Sequence, residues 1–271
     1  MKYEIFDMTV EGSVGNPTLT TYVIDTPEGL LVKERPMILI CPGGGYEHIS
    51  PREGEYLALQ FLSMGFHAAV LRYSVAPAVY PAQLLELTKA MALIRKNAKE
   101  WHIDENKIFI QGSSAGGHLA ASFGCFWKEE LFCQAAGGNC EAIRPNGLIL
   151  SYAVITTAEY THKGSFKILL GNRYEELVEK MSLEKQVSAD TPKTFLWHTF
   201  EDATVPVENS LLFMDALRKQ GIPFECHIYP KGGHGLGLGN ELTCSEGKLD
   251  EIQPAVSTWI SMAGTFIKNF Y

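Results

Sequence analysis

Six short strand-like runs, the first of them continuously apolar, recur along the chain, each parted from the next by a longer stretch with apolar residues at helical spacing. The runs are MILIC (37–41), HAAVLRY (67–73), KIFIQG (107–112), GLILSY (147–152), KTFLWH (193–198) and FECHIYP (224–230). A strand that is apolar on both faces is stable only where both faces are covered, which is the situation in parallel sheets flanked by helices. The stretches between them read as helices: 53–64, stopped by Gly65; 80–101, with Pro81 at its start; 114–127; 207–220, ending at Gly221; and 254–269. Strands joined by helices make right-handed crossovers, so the expected fold is α/β, a mostly parallel central sheet with helices on both faces. YEIFDM (3–8) and TLTTYVID (18–25) read as antiparallel edge strands added to it.

The stretch 153–190 breaks this rhythm. It lies between two strands and contains helical pieces such as FKILLG and YEELVEKMS, so a small helical cap insertion covering one edge of the site is expected there. No internal repeat, low-complexity tract or interdomain linker interrupts the 271 residues, and residues 1–271 are expected to form one domain.

A formal net charge of -8 argues against a nucleic-acid partner, because phosphate binding requires a basic face. No window approaches the ~20 apolar residues that span a bilayer. The start, MKYEIFDMTVEG, has acidic residues early and no apolar run of signal-peptide type. The expectation is a cytoplasmic protein without a membrane partner. Six cysteines without a CxxC pair are expected to be free thiols in a reducing compartment.

Chemistry enters at Gly112-Ser113-Ser114-Ala115-Gly116, a G-x-S-x-G pattern with a strand running in and a helix running out. A nucleophilic serine at such an elbow needs a tight turn that projects its hydroxyl from the sheet, and the two glycines let strand and helix approach closely. Only Ser114 has glycine at both -2 and +2; Ser113 fails that spacing. The N-terminus of the following helix also presents its positive end to a developing oxyanion.

Such a serine needs a base, and the base needs an orienting carboxylate. His234 lies in the glycine-rich KGGHGLGLG just after the last strand, at the edge where parallel sheets place their chemistry. His118, four residues after Ser114, would lie one helical turn along and reads as a packing residue. His198, at a strand end, reads as structural, and His48, His67, His102, His162 and His227 have no supporting context. Asp202 follows a strand and precedes Ala203-Thr204-Val205-Pro206, with Glu201 as the competing carboxylate. The order Ser114, Asp202, His234 is the order of α/β-hydrolases.

Oxyanion donors are expected from the Ala115 amide and from Gly44 and Gly45, in the loop Pro42-Gly43-Gly44-Gly45-Tyr46 after a strand. No HExxH or paired CxxC spacing occurs, and no GxGxxG sits where a dinucleotide would need it. Neither a metal nor a cofactor is inferred. Tyr46, Trp127 and Tyr152 are candidate stacking surfaces for a sugar, with Tyr46 taken as the substrate contact.

The runs Pro42-Gly-Gly-Gly-Tyr46, LRYSVAPAVYPAQ (71–83) and GSSAGGHLAA (112–121) resemble the hormone-sensitive-lipase-like esterases of the α/β-hydrolase fold. They are most similar to the carbohydrate-esterase branch, which includes acetyl-xylan esterases. SLEKQVSADTPKTFLWHTFEDATVPVENS (182–210) and HIYPKGGHGLGL (227–238) continue the resemblance, which runs from about residue 36 to the C-terminus. It implies ester hydrolysis through an acyl-enzyme. Ser114 matches the nucleophile, Asp202 the acid, His234 the base, and Gly44, Gly45 and Ala115 the oxyanion hole. Where the lipase-like group carries a histidine before its glycines, this chain has Cys41-Pro42, which points from lipids towards sugars.

The expected activity is that of a serine carboxylesterase for small acyl groups, chiefly acetyl, on a carbohydrate such as a xylo-oligosaccharide. The same triad would also serve an aryl formamidase or a small peptidase, and a non-catalytic binding protein would require a triad member to be missing. A homodimer through an exposed apolar edge is left open.

Overall fold

The computed structural model describes residues 1–269. Eight strands form one sheet: β1 (Lys2–Asp7), β2 (Thr18–Val23), β3 (Arg35–Cys41), β4 (His67–Arg72), β5 (Ile103–Ser113), β6 (Gly147–Ser151), β7 (Lys193–Thr199) and β8 (Phe224–Tyr229). Their spatial order is β1-β2-β4-β3-β5-β6-β7-β8. β2 pairs antiparallel with both β1 and β4, and every other pairing is parallel. All eight strands fall where the sequence patterns put them, but of the first two only β1 lies at an edge; β2 is paired on both sides, and β8 forms the opposite edge.

Successive side chains of a strand point to opposite faces, so each apolar run feeds two cores. On one face Leu39, Ile110, Leu148, Leu150 and Leu196 pack with Leu87, Met91 and Ile94 of α2 (Ala82–Lys96) and Leu119 and Phe123 of α3 (Ser114–Phe126). On the other, Ile38, Ile40, Phe109, Ile149, Phe195 and Trp197 pack with Leu57, Ala58 and Phe61 of α1 (Glu55–Ser63) and with residues near the C-terminus. Burying one such side chain contributes about 1.5–3 kcal/mol. This sandwiching makes the central strands apolar throughout instead of alternating.

Helix ends follow local chemistry. α1 stops at Gly65 and α7 (Glu208–Lys219) at Gly221, both in the left-handed region (φ 87° and 72°) that glycine enters without strain. α2 ends at Lys96, five residues short of the expected 101, because the chain leaves the helix to feed β5. The last helix is also shorter than the 254–269 pattern: residues 256–258 form a 3-10 turn, and α8 spans Trp259–Lys268.

The sequence patterns give no sign of α4 (Glu130–Ala135), which is too short for a helical period to register. Gly137 and Gly138 (φ 79° and 86°) turn the chain back behind it and bring Cys140 to Cys133, with Cα atoms 4.6 Å apart. The two are disulfide-bonded, which corrects the expectation of six free thiols; Cys41, Cys125, Cys226 and Cys244 are free. With one pair bonded, the cysteines do not point to a reducing compartment.

Between β6 and β7 the chain forms α5 (Lys163–Leu170), α6 (Tyr174–Leu177) and two 3-10 turns. Phe166, Leu169, Leu170, Met181 and Leu183 of this stretch enter the same core as α2 and α3. No helix among the described residues is long and apolar enough to cross a membrane.

Candidate active site

β5 runs directly into α3, and the turn between them falls on Ser114. Its φ of 53° puts a non-glycine residue in the left-handed region, a strained conformation that the surroundings must enforce. Close packing does so. A Cβ on Gly112 would meet the Gly116 carbonyl, and a Cβ on Gly116 would meet the carbonyls of Cys41 and Pro42. Both glycines of the pattern are therefore required for strand, elbow and helix to coexist.

The Ser114 Oγ lies 2.8 Å from His234 Nε2, and His234 Nδ1 lies 2.7 Å from Asp202 Oδ2. Ionised, the carboxylate only accepts, so Nδ1–H donates to it, and Nε2 of the neutral ring accepts from the serine hydroxyl. The Asp202 carboxylate has no exposure and the His234 side chain 18%, so of these two the ring faces the cavity. Asp202 Oδ1 accepts the amides of Thr204 and Val205 at 3.0 and 2.9 Å. Burial acts to raise the Asp202 carboxyl, but hydrogen bonds from His198 and His234 and the Val205 amide outweigh it and hold the group well below the usual carboxylate range.

His198 is more than a strand-end residue. Its Nε2 donates to the Val205 carbonyl at 2.9 Å and lies 3.3 Å from Asp202 Oδ2, while its Nδ1 accepts from Ser210 Oγ at 2.7 Å. Sequence position hides this role, since it arises from the chain folding back four residues later. Glu201 is the carboxylate left outside: it accepts the Gly232 amide at 3.3 Å.

The loop after β3 forms a small hooked turn. The Gly44 carbonyl accepts from Glu47 and His48 at 3.0 and 3.1 Å, with φ of 124° at Gly44 and 66° at Gly45. Among the described residues, neither the Gly44 nor the Gly45 amide donates to a protein acceptor. Ala115 lies in the first turn of α3, where N–H groups lack an intrahelical acceptor. Gly44, Gly45, Ser114 and His234 line one cavity of about 300 Å³, together with Glu47, His48, Arg52, Glu53, His162 and Thr204. None of its lining residues is a large aliphatic or phenyl side chain.

Three aromatic expectations need correction. Tyr46 is 1% exposed, its phenol bonded to His118 Nδ1 at 2.8 Å; Tyr152 and Trp127 are 1% and 3% exposed. Each ring is part of the core and offers no face to a bound sugar. Tyr46 therefore does not line the cavity, and His118, buried beside it, is the packing residue that the sequence implies. Conversely, His162 has no distinguishing sequence context yet lines the cavity, its Nδ1 paired with Ser165 Oγ at 2.8 Å. Burial and the nearby His234 lower its pKa.

A larger groove, about 750 Å³, opens at the opposite end of the sheet, near the starts of β5, β6, β7 and β8. Sites in parallel α/β sheets lie at the carboxyl ends of the strands, and that groove is lined by none of Ser114, Asp202, His234, Gly44 and Gly45. Among the described residues, no group of three or more histidine, cysteine, aspartate or glutamate side chains is placed to hold a metal ion.

Comparison with known proteins gives a consistent picture. A family model described as BD-FAE matches residues 26–217. Endo-1,4-beta-xylanase B of Butyrivibrio fibrisolvens is 41% identical over 213 residues, 77% of this chain and 33% of that protein. The acetylxylan esterase of Xylanibacter ruminicola is 29% identical over 232 residues, 83% of this chain and 45% of that protein. The chain thus spans a third to somewhat under a half of the length of these two curated relatives. Among solved structures, an acetyl ester-xyloside bifunctional hydrolase from Caldicellulosiruptor lactoaceticus superposes with a TM-score of 0.83 at 37% identity, over 98% of this chain and 95% of that one. The α/β-hydrolase fold expected from the sequence is the fold of this chain.

Proposed function

The chain belongs to the BD-FAE family, and from that premise we propose that it is a carboxylesterase that removes small acyl groups, chiefly acetyl, from xylan-type carbohydrates through an acyl-enzyme on Ser114. The observation that carries this reading is the unbroken hydrogen-bonded line from the buried Asp202 through His234 to the Ser114 hydroxyl, which opens on a cavity lined by Gly44 and Gly45, whose amides have no protein acceptor among the described residues.

In this mechanism His234 Nε2 takes the hydroxyl proton as Ser114 Oγ bonds to the ester carbonyl carbon. Asp202 fixes the imidazole tautomer and offsets the charge the ring acquires. The carbonyl oxygen becomes an oxyanion held by the amides of Gly44, Gly45 and Ala115. Collapse breaks the bond to the sugar oxygen, which takes the proton from His234 and leaves as an alcohol. Water, deprotonated by the same imidazole, then cleaves the acyl-serine and releases the acid.

The cavity supports the choice of substrate. Its volume and lack of large apolar lining leave no channel for a long acyl chain. Glu47, His48, Arg52 and His162 supply donors and acceptors suited to hydroxyl groups on the alcohol side. Relatives named for xylan-related activities agree with that polarity.

A fluorophosphonate probe followed by peptide mass mapping tests the nucleophile. A single adduct on the peptide carrying Ser114, absent in Ser114→Ala, is expected. An adduct on another serine, or none on folded protein, would contradict the assignment.

A further inference from the structure

Glu53 is 2% exposed, lines the cavity beside Ser114, and has no role in the reaction as written above. A carboxylate is costly to bury unless its oxygens are hydrogen-bonded, and both of these are. Oε2 accepts the Gly43 amide at 2.8 Å, and Oε1 accepts the Tyr152 hydroxyl at 2.5 Å. The Tyr152 oxygen in turn accepts the Gly237 amide at 3.0 Å. Gly43 opens the loop that carries Gly44 and Gly45; Tyr152 follows β6; Gly237 lies three residues beyond His234. One short chain of hydrogen bonds therefore joins three separate loops around the cavity.

Its contacts reach the reacting groups themselves. A Cβ on Gly43 would lie 2.7 Å from Glu53 Oε2 and 2.9 Å from Ser114 Cβ, so the Gly43 backbone is held between the carboxylate and the nucleophile. The Tyr152 ring packs edge-on against the His234 imidazole, centroids 5.1 Å apart. Burial and the adjoining Glu53 push the Tyr152 phenol well above its usual pKa, so it stays a donor across the working pH range.

We propose that Glu53 and Tyr152 are positioning residues: together they set the oxyanion loop and the His234 ring in register with Ser114. This inference rests on the esterase reading given above. If catalysis depends on such alignment, small displacements are expensive in rate, since a misplacement near 1 Å can cost about 100-fold.

Glu53→Gln keeps the shape but turns an amide NH₂ or a weaker acceptor towards Tyr152. Tyr152→Phe keeps the ring on His234 and removes the hydroxyl's bonds to both Glu53 and Gly237. Each is expected to lower kcat for p-nitrophenyl acetate by roughly 10- to 100-fold, with KM little changed and the protein still folded at a somewhat lower melting temperature. The double variant should be no slower than the slower single one, because both break the same link. Wild-type kcat in either folded single variant, a change confined to KM, or losses that multiply in the double would overturn the brace. Should Glu53→Gln fail to fold, Tyr152→Phe alone decides. Ser114→Ala, assayed alongside, separates the two claims. An active wild type silenced by that change with the brace variants unaffected defeats only the brace, whereas an inactive wild type defeats the esterase reading and the brace with it.

Discussion

At the scale of single residues, Asp202 illustrates how a buried charge is held. Two imidazoles and two backbone amides converge on its carboxylate. Because the native pKa is depressed below the ordinary value of 3.8, folding is favoured by ionisation. The stability contributed is fully present above the unfolded value and is lost as pH falls through the acid range towards the native one. Asp202→Asn should therefore lose kcat by on the order of 10⁴-fold from the wrong imidazole tautomer. Its stability deficit relative to wild type should be constant from pH 7 to about pH 5 and shrink below about pH 4. Urea unfolding at several pH values reads the deficit, and a gap that widens on acidification would contradict this account. Ser114 was legible in the sequence because two glycines at fixed spacing mark it, and Asp202 because a strand precedes it and Val205-Pro206 follows. Glu53 and Tyr152 were not, since their bond joins residues 99 apart that carry no local pattern.

Among the elements, the elbow between β5 and α3 is the least tolerant. The backbone of Gly116 lies against the carbonyls of Cys41 and Pro42 at the end of β3, and backbone cannot move aside as a flexible side chain can. Gly116→Ala should destabilise the fold by about 3 kcal/mol or more and abolish activity. Gly164→Ala, whose new Cβ would have His162 Cε1 at 3.7 Å as its nearest neighbour, should remain within about 1 kcal/mol of wild type. Thermal melts of the two variants decide; equal melting temperatures would show that the elbow is not held by this contact. The central strands were read well because burial on both faces leaves an apolar run, as in β3 and β6. The 153–190 insertion was read only as helical pieces, because α5 and α6 draw their stability from packing against the core more than from their own periodicity.

For the molecule as a whole, the sheet order brings the ends of β3, β5, β7 and β8 to one edge, and the loops there carry the glycine turn, Ser114, Asp202 and His234. Residues spread over 190 positions of sequence thus meet in one cavity because parallel strands deliver all their carboxyl ends to one side. Chain order and strand pattern made this meeting readable in advance. What sequence could not supply was which rings would be buried. Tyr46, Tyr152 and Trp127 are apolar enough to stack on a sugar or to fill a core, and packing put all three in the core. The disulfide between Cys133 and Cys140 was likewise hidden, because it depends on two glycines reversing the chain after a helix too short to recognise.

The most direct test of the central claim is hydrolysis of p-nitrophenyl acetate, butyrate and octanoate by the wild type and by Ser114→Ala. A small polar cavity and a Ser114 nucleophile require rapid acetate turnover that falls steeply towards octanoate and disappears in the variant. Absence of turnover on all three esters, preference for octanoate, or activity that survives Ser114→Ala would contradict it.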